Sequence, residues 1–265
     1  MKRIIALVLA LVTIACCAFA LTSCKSEDEL IIGITYFAPM NYKDKDGKLI
    51  GFETEFAEAV CKEIGMKPKF QEIDWEAKES ELNGKTIDCI WNGMTITDDR
   101  KENMAISMPY MKNKQVLVVK AENLAQYTAD ADLTGKTLVA EKKSAGETAA
   151  QTDAYLAKAD YTGVDKMATA LMEVKSGTAD ACVIDYVTAL GSIGEGTDYD
   201  NLVVVESLSF GDEEQYGIAF RKGEADAELV LKVNAAIAKL AEEGTLYEIA
   251  KKYNLQDYLL VGNKK

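Results

Sequence analysis

Residues 87–100 read Ile87-Asp88-Cys89-Ile90-Trp91-Asn92-Gly93-Met94-Thr95-Ile96-Thr97-Asp98-Asp99-Arg100. The apolar run Ile87 to Trp91 is a short strand of the fully buried kind. It ends in polar, turn-forming residues, and Thr97 stands where it can cap a helix that opens at Asp98. The stretch Gly84 to Asn92 has an echo at Gly177 to Asp185: a helix stopped by glycine, a turn carrying Asp, an apolar strand, and a polar residue at the strand's carboxyl end. A unit met twice predicts an α/β chain of two lobes, each a mostly parallel sheet flanked by helices.

The flanking sequence extends the same alternation. Leu30 to Ile34 and Phe70 to Ile73 are strands. Between them Phe52, Phe56, Val60 and Ile64 keep helical spacing up to Gly65. A helix is predicted over Glu76 to Leu82. Strand Gln115 to Lys120 follows, and the pattern restarts at Leu133-Thr134-Gly135-Lys136 with strand Thr137 to Glu141. Ser144-Ala145-Gly146-Glu147 reads as a capping box for a helix to about Lys158. Met167 to Lys175 is a helix, Ala181 to Ile184 a strand ending at Asp185, and Gln215 to Phe220 a last strand. Helices are predicted over Ala225 to Ala241 and, behind a second capping box at Thr245 to Glu248, over Leu246 to Tyr253.

Composition excludes whole classes. The 265 residues carry 30 Lys+Arg against 43 Asp+Glu, a net charge of −13, with 48% apolar and 28% charged residues. Such a chain has ample core, and an acidic surface does not suit nucleic acid, which demands a basic face. There is no histidine, which removes Ser-His-Asp and Cys-His relays and most zinc sites. Neither a metal site nor a cofactor is expected.

Lys2 and Arg3 precede the apolar run Ile4 to Leu21, the layout of a secretory signal over residues 1–23. A transmembrane anchor of about that length is the alternative. Leu21-Thr22-Ser23-Cys24 resembles the lipobox of bacterial lipoproteins. That resemblance implies cleavage before Cys24, acylation of its sulfur with chains such as palmitate, and a tether over residues 24–29. Cleavage removes two bases and no acid, leaving −15. Of the six cysteines, Cys16 and Cys17 leave with the signal and Cys24 takes the lipid. Cys61, Cys89 and Cys182 form no CxxC spacing and read as small buried apolar residues.

In open α/β sheets ligands bind beyond the carboxyl ends of the strands. Three such ends carry chemistry. Asn92 to Arg100 offers hydroxyls, a glycine and an Arg that is either an anion clamp or paired with Asp98, Asp99 or Glu102. Asp185 is either an acceptor for an ammonium group or a helix cap. The loop Lys142 to Gly146 is a capped helix start that also faces the mouth. Tyr36, Phe37 and Trp75 flank the first lobe's mouth.

The order of elements and a set of motifs resemble the amino-acid-binding extracellular solute-binding proteins, family 3, of bacterial ABC importers. The matching residues are Gly33 with Phe37-Ala38-Pro39, Gly51-Phe52-Glu53, Asp74-Trp75, Asp88 before Asn92 to Thr97, Arg100-Lys101, Pro109-Tyr110, Gly135-Lys136, Ala179-Asp180-Ala181 with Asp185, and Tyr216-Gly217-Ile218-Ala219. The resemblance implies the type II periplasmic-binding-protein fold with two hinge strands, Gln115 to Lys120 and Gln215 to Phe220. Residues 30–115 and 216–265 form one lobe and residues 116–215 the other. It further implies that Arg100 and Thr95 hold an α-carboxylate, that backbone groups at Asn92 and Gly93 and the carboxylate of Asp185 hold an α-ammonium, and that Met94 is among the ligand-binding residues. Phe37 and Trp75 would sandwich the side chain, and Lys142, Ser144 and Gly146 would close over it.

Glu53 and Glu55 depart from the family's usual aspartates, and Lys142-Lys143 from its glycine-rich loop. Ile34-Thr35 stand where binders of basic amino acids often carry an acid. A neutral or acidic polar ligand such as glutamine, glutamate or cystine is therefore expected. The implied function is capture of a polar amino acid outside the cytoplasmic membrane and delivery to ABC permease subunits. The protein would be a non-enzymatic monomer, held to the cell membrane only by its lipid. A cyclohexadienyl dehydratase-like enzyme on the same fold, using Glu141 or Glu147, and a sensory ligand-binding module are the competing readings.

Overall fold

The computed structural model describes residues 28–262, so the leader at 1–23 and the lipidation site Cys24 lie outside the described residues. β1 (Glu29–Ile34) runs parallel between β4 (Lys67–Glu72) and β5 (Cys89–Ile90). Antiparallel strands β13 (Ala219–Phe220) and β6 (Ala105–Ile106) complete a sheet of order β4-β1-β5-β13-β6. A small hairpin, β2 (Tyr42–Lys43) with β3 (Leu49–Ile50), leads into helix α1 (Phe52–Ile64). The predicted spacing holds: Phe52, Phe56 and Val60 are fully buried, and Phe56 meets Trp91 edge-to-face at 5.0 Å. Gly65 ends α1 at φ 73, where a glycine is free of strain.

The second sheet is built on β7 (Met111–Lys120), in the order β11-β7-β10-β8-β9. Its parallel part joins β10 (Ala181–Asp185), β8 (Thr137–Glu141) and β9 (Asp160–Val164). β11 (Leu202–Val204) and β12 (Phe210–Tyr216) pair antiparallel along one edge of β7. Both sheets thus have the expected parallel centre, and the antiparallel ladders come from strands that carry the chain between them.

The crossing itself lies elsewhere than the strand Gln115 to Lys120, whose residues pair wholly within the second sheet. The chain crosses between Ile106 and Met111 and returns between Tyr216 and Ala219. The two crossings are hydrogen-bonded to one another, Ser107 N to Ile218 O at 2.9 Å and Tyr110 N to Tyr216 O at 3.1 Å.

Helices between strands flank each sheet: α2 (Lys78–Asn83) and α3 (Asp98–Asn103) on the first, α4 (Ala145–Thr152), α5 (Met167–Ser176) and α6 (Tyr186–Ser192) on the second. The last two, α7 (Glu224–Glu242) and α8 (Thr245–Lys252), return to the first sheet, where Val233, Ile237 and Leu246 join the α1 core. Cys61, Cys89 and Cys182 are buried as expected of small apolar residues.

Three local expectations are corrected. Residues 75–77 form a 3-10 turn before α2, because the Asp74 carboxylate accepts from Glu76 N. α4 stops at Thr152, since the Asp153 carboxylate takes Tyr155 N and Leu156 N and starts a new turn. Thr245 caps nothing: Gly244, at φ 80, is the cap residue and Thr245 lies inside α8.

Candidate ligand-binding cleft

The residues after β5 are held rigidly from behind. Gly93 N donates to both oxygens of Glu53, at 2.9 and 3.0 Å, and the Tyr110 hydroxyl donates to the same carboxylate. Glu53 is fully buried, and burial above all raises its pKa to about 7. Gly93 sits at φ 55, and a Cβ there would come within 3.0 Å of the Phe37 ring, so both backbone and space require glycine. The Asn92 side chain faces away from a ligand: its Oδ1 accepts from Thr35 N and Oγ1, at 2.9 and 2.7 Å.

Thr97 caps α3 as predicted, accepting from Arg100 N at 3.2 Å, and this cap sets Arg100 in the first turn. The guanidinium then turns inward. Nη1 donates to Thr95 O at 2.7 Å and Nη2 to Lys143 O at 3.1 Å, across the cleft. Arg100 is only 7% exposed and forms no ion pair with Asp98, Asp99 or Glu102. Of the two readings open in the sequence, the ion pair with Asp98, Asp99 or Glu102 is not formed among the described residues, and the guanidinium faces the cleft.

Asp185 ends β10, and its side chain makes no cap bond to α6. Its Oδ1 instead accepts from Asn113 Nδ2 and Gln115 Nε2, each at 2.6 Å. The same two amides donate to Glu214 Oε2, at 2.9 and 2.8 Å, as does Thr95 Oγ1 at 3.1 Å. Burial, and then the Glu214 charge, push the Asp185 carboxyl up to about 7.

In the second-lobe loop Ser144 Oγ accepts from Glu147 N at 3.0 Å, half of the predicted capping box. The other half reaches one residue further back, Lys143 N donating to Glu147 Oε2 at 2.7 Å. Lys142 points outward to Asp165 at 2.7 Å. Lys143 contributes its carbonyl, which takes Arg100 and also Lys78 Nζ at 3.0 Å. Lys78 is buried, and burial first, then Arg100, lower its pKa to about 8.

These elements enclose a cavity of about 10 Å³, lined by Phe37, Trp75, Asn92, Gly93, Thr95, Arg100, Ser144 and Asp185 among the sequence-predicted residues. That is room for about one water, so an amino acid enters only when the lobes part. Met94 belongs to the core beneath, fully buried beside Ile90 and Ile87. Lys142 and Gly146 also stand off the cavity. Gly146 is tight for another reason: a Cβ there would lie 2.9 Å from Val183 O. Glu141, Ala145 and Met167 complete the lining; Ala145 lies in the loop expected to close over the ligand, whereas Glu141 and Met167 were not expected as binding residues. Glu141 closes β8 as Asp185 closes β10, so its position at a strand's carboxyl end was the available signal. An open cavity of about 1020 Å³ adjoins the inner one and shares Arg100, Ser144 and Ala145 with it.

Residues 30–256 match the family described as bacterial extracellular solute-binding proteins, family 3. The L-cystine-binding protein TcyJ of Escherichia coli K12 is 31% identical over 235 residues, covering 88% of this chain and 85% of that protein. A histidine-bound ABC uptake transporter substrate-binding protein from Streptococcus pneumoniae superposes with a TM-score of 0.77 at 34% identity, over 88% of this chain and 94% of that one. The ancestral amino acid-binding protein AncCDT-1, named as a precursor of cyclohexadienyl dehydratase, superposes with a TM-score of 0.73 at 31% identity, over 85% of this chain and 94% of that one.

Proposed function

The chain belongs to the bacterial extracellular solute-binding proteins of family 3, and from that membership and its cleft we propose that it captures a free α-amino acid and delivers it to the permease of an ABC importer. One observation carries this reading. Arg100 and Asp185, of opposite charge and both buried, line one enclosed cavity with two aromatic side chains. A zwitterion supplies the matching pair of charges. Its carboxylate takes the Arg100 fork in place of the Thr95 and Lys143 carbonyls, and its ammonium meets Asp185. Phe37 and Trp75 enclose the side chain, and Ser144 lies on the opposite wall.

The chain up to Ile106, with the chain from Ala219 onward, acts as one lobe, and Met111 to Tyr216 as the other. They hinge about the paired crossings, and ligand held between them favours the closed form. The work is non-covalent capture by a monomer. The three relatives are named for three different roles, so they support the class and leave the amino acid open.

A thermal-shift screen of the mature protein against the common amino acids and cystine tests this. A ligand present at a hundred times its Kd adds about 2.7 kcal/mol of stability. One or more amino acids are expected to raise the melting temperature. No shift from any of them would overturn the proposed ligand class.

We further propose that the protein is secreted, cleaved before Cys24 and anchored to the outer face of the cell membrane by lipid. Among the described residues no helix is long and apolar enough to span a membrane. Cys24→Ser is expected to leave folding intact and to move the protein from the membrane fraction to the medium or periplasm. Retention of the variant with membranes through an uncut leader would count against the anchor.

A further inference from the structure

We propose that Glu141 is the specificity-determining residue of this cleft, and that it selects an amino acid with a cationic side chain. The proposal rests on the amino-acid reading above and names the ligand class. Glu141 is 4% exposed, lines the enclosed cavity, and its Oε1 has no hydrogen-bond partner among the described residues. A carboxylate oxygen is acceptor-only when ionised, so an unpartnered one facing a ligand cavity calls for a donor from the ligand.

The neighbouring cations do not satisfy it. Lys78 gives its Nζ to two backbone carbonyls, Trp75 O at 3.2 Å and Lys143 O at 3.0 Å, and lines the open cavity, not the enclosed one. Arg100 is bound to carbonyls and is the partner for the ligand's own carboxylate. Asp185 balances the ligand's ammonium. Glu214 is held by Thr95, Asn113 and Gln115. Once a zwitterion is docked, Glu141 is the acid in the enclosed cavity left without a hydrogen-bonded ion pair, the Lys78 charge acting on it only from a distance.

The rest of the lining fits a cation as well. Phe37 offers an aromatic face, which attracts a guanidinium or ammonium, while Trp75 already has Lys78 Nζ at 4.7 Å from its ring centroid. Beside a neutral side chain Glu141 keeps its proton, whereas a cation favours its ionised form. Burial, and then Asp185, have already raised its pKa to about 8, as expected of a charge awaiting its partner.

This reverses the neutral or acidic ligand expected from Ile34-Thr35 and the lysines of the second loop. Lys142 turns out to Asp165 and so brings no positive charge to the cavity. The acid missing after the first strand is supplied from the other lobe.

Calorimetry with L-arginine and with L-citrulline, its neutral near-isostere, tests the assignment on the unaltered protein. Arginine is expected to bind roughly 10–100-fold more tightly, the worth of one charged hydrogen bond. Its binding at pH 7 should release more protons than that of citrulline, the excess coming from Glu141 and the shared part from Asp185, read from the dependence of the heat on buffer. Glu141→Gln should lose this preference and the excess proton release, while unfolding stays cooperative. Equal affinity of the parent for arginine and citrulline, or a preference that survives in Glu141→Gln, overturns the role of Glu141. Tight binding of glutamine or cystine with no preference for cations overturns it too, and leaves the amino-acid reading standing. Failure of every amino acid to bind overturns both.

Discussion

Arg100→Ala is expected to weaken amino-acid binding by a hundredfold or more, without unfolding the protein. The guanidinium is 7% exposed and pre-aimed, with Nη1 2.7 Å from Thr95 O. A charged hydrogen bond contributes about 1.5–3 kcal/mol, and a bidentate clamp makes two. Stranding the ligand's carboxylate in a dry cavity costs more, and each 1.4 kcal/mol is tenfold. Arg100→Lys keeps the charge and loses the fork, so it should recover only part of the loss. The effect reaches the unliganded protein as well, because Nη2 joins the lobes through Lys143 O at 3.1 Å. Small-angle scattering of Arg100→Ala without ligand should show a more open particle than the parent. Binding within threefold of the parent would mean that the carboxylate is held elsewhere.

How much of this was legible in the sequence depended on how local each feature is. The cap at Thr97 and the place of Arg100 in the first turn of α3 are set by neighbours three residues apart, and both were readable. The direction of the guanidinium was not. It is decided by a carbonyl at Lys143, in a different sheet, and nothing near Arg100 distinguishes that partner from Asp98 or Glu102. The same holds for Glu53, which looked like a mild variant of a family aspartate. Only the folded chain brings its carboxylate against Gly93 N and Tyr110.

Charge counting failed at the second loop for a physical reason. Two consecutive lysines suggested a basic wall, but the loop turns at Lys143, φ 57, and sends the Lys142 side chain into solvent. What faces the cleft there is a carbonyl. Met94 fails in the opposite sense: it lies within the most readable motif, yet its side chain points into the core beneath the site. The strand at Asp160–Val164 is polar and alternately exposed, and it exists by pairing with β8, so its own residues gave little signal.

Asp185→Asn is expected to separate binding from stability, moving them in opposite directions. An amide oxygen at this position still accepts from Asn113 and Gln115, now 2.6 Å away, so the local structure should persist. The negative charge facing the ligand's ammonium is lost, and affinity should fall about a hundredfold or more. Stability without ligand should change the other way. Burial, and then Glu214, raise the Asp185 pKa from 3.8 to about 7, while Asn113, Gln115 and Tyr216 oppose that rise. A carboxyl whose folded pKa is raised contributes its stability fully below the unfolded value, and loses it as pH climbs through the folded one. The parent should therefore lose stability relative to Asp185→Asn between about pH 4 and pH 7. At pH 8 the variant should be the more stable by an amount on the order of a few kcal/mol. The Asp185 charge also helps to raise Glu53 and Glu141, so the difference between two denaturant series across pH reports Asp185 together with its coupling to those two acids. A variant that binds as the parent does would show that Asp185 is not the ammonium's partner. One that is less stable at pH 8 would show that its charge holds the fold.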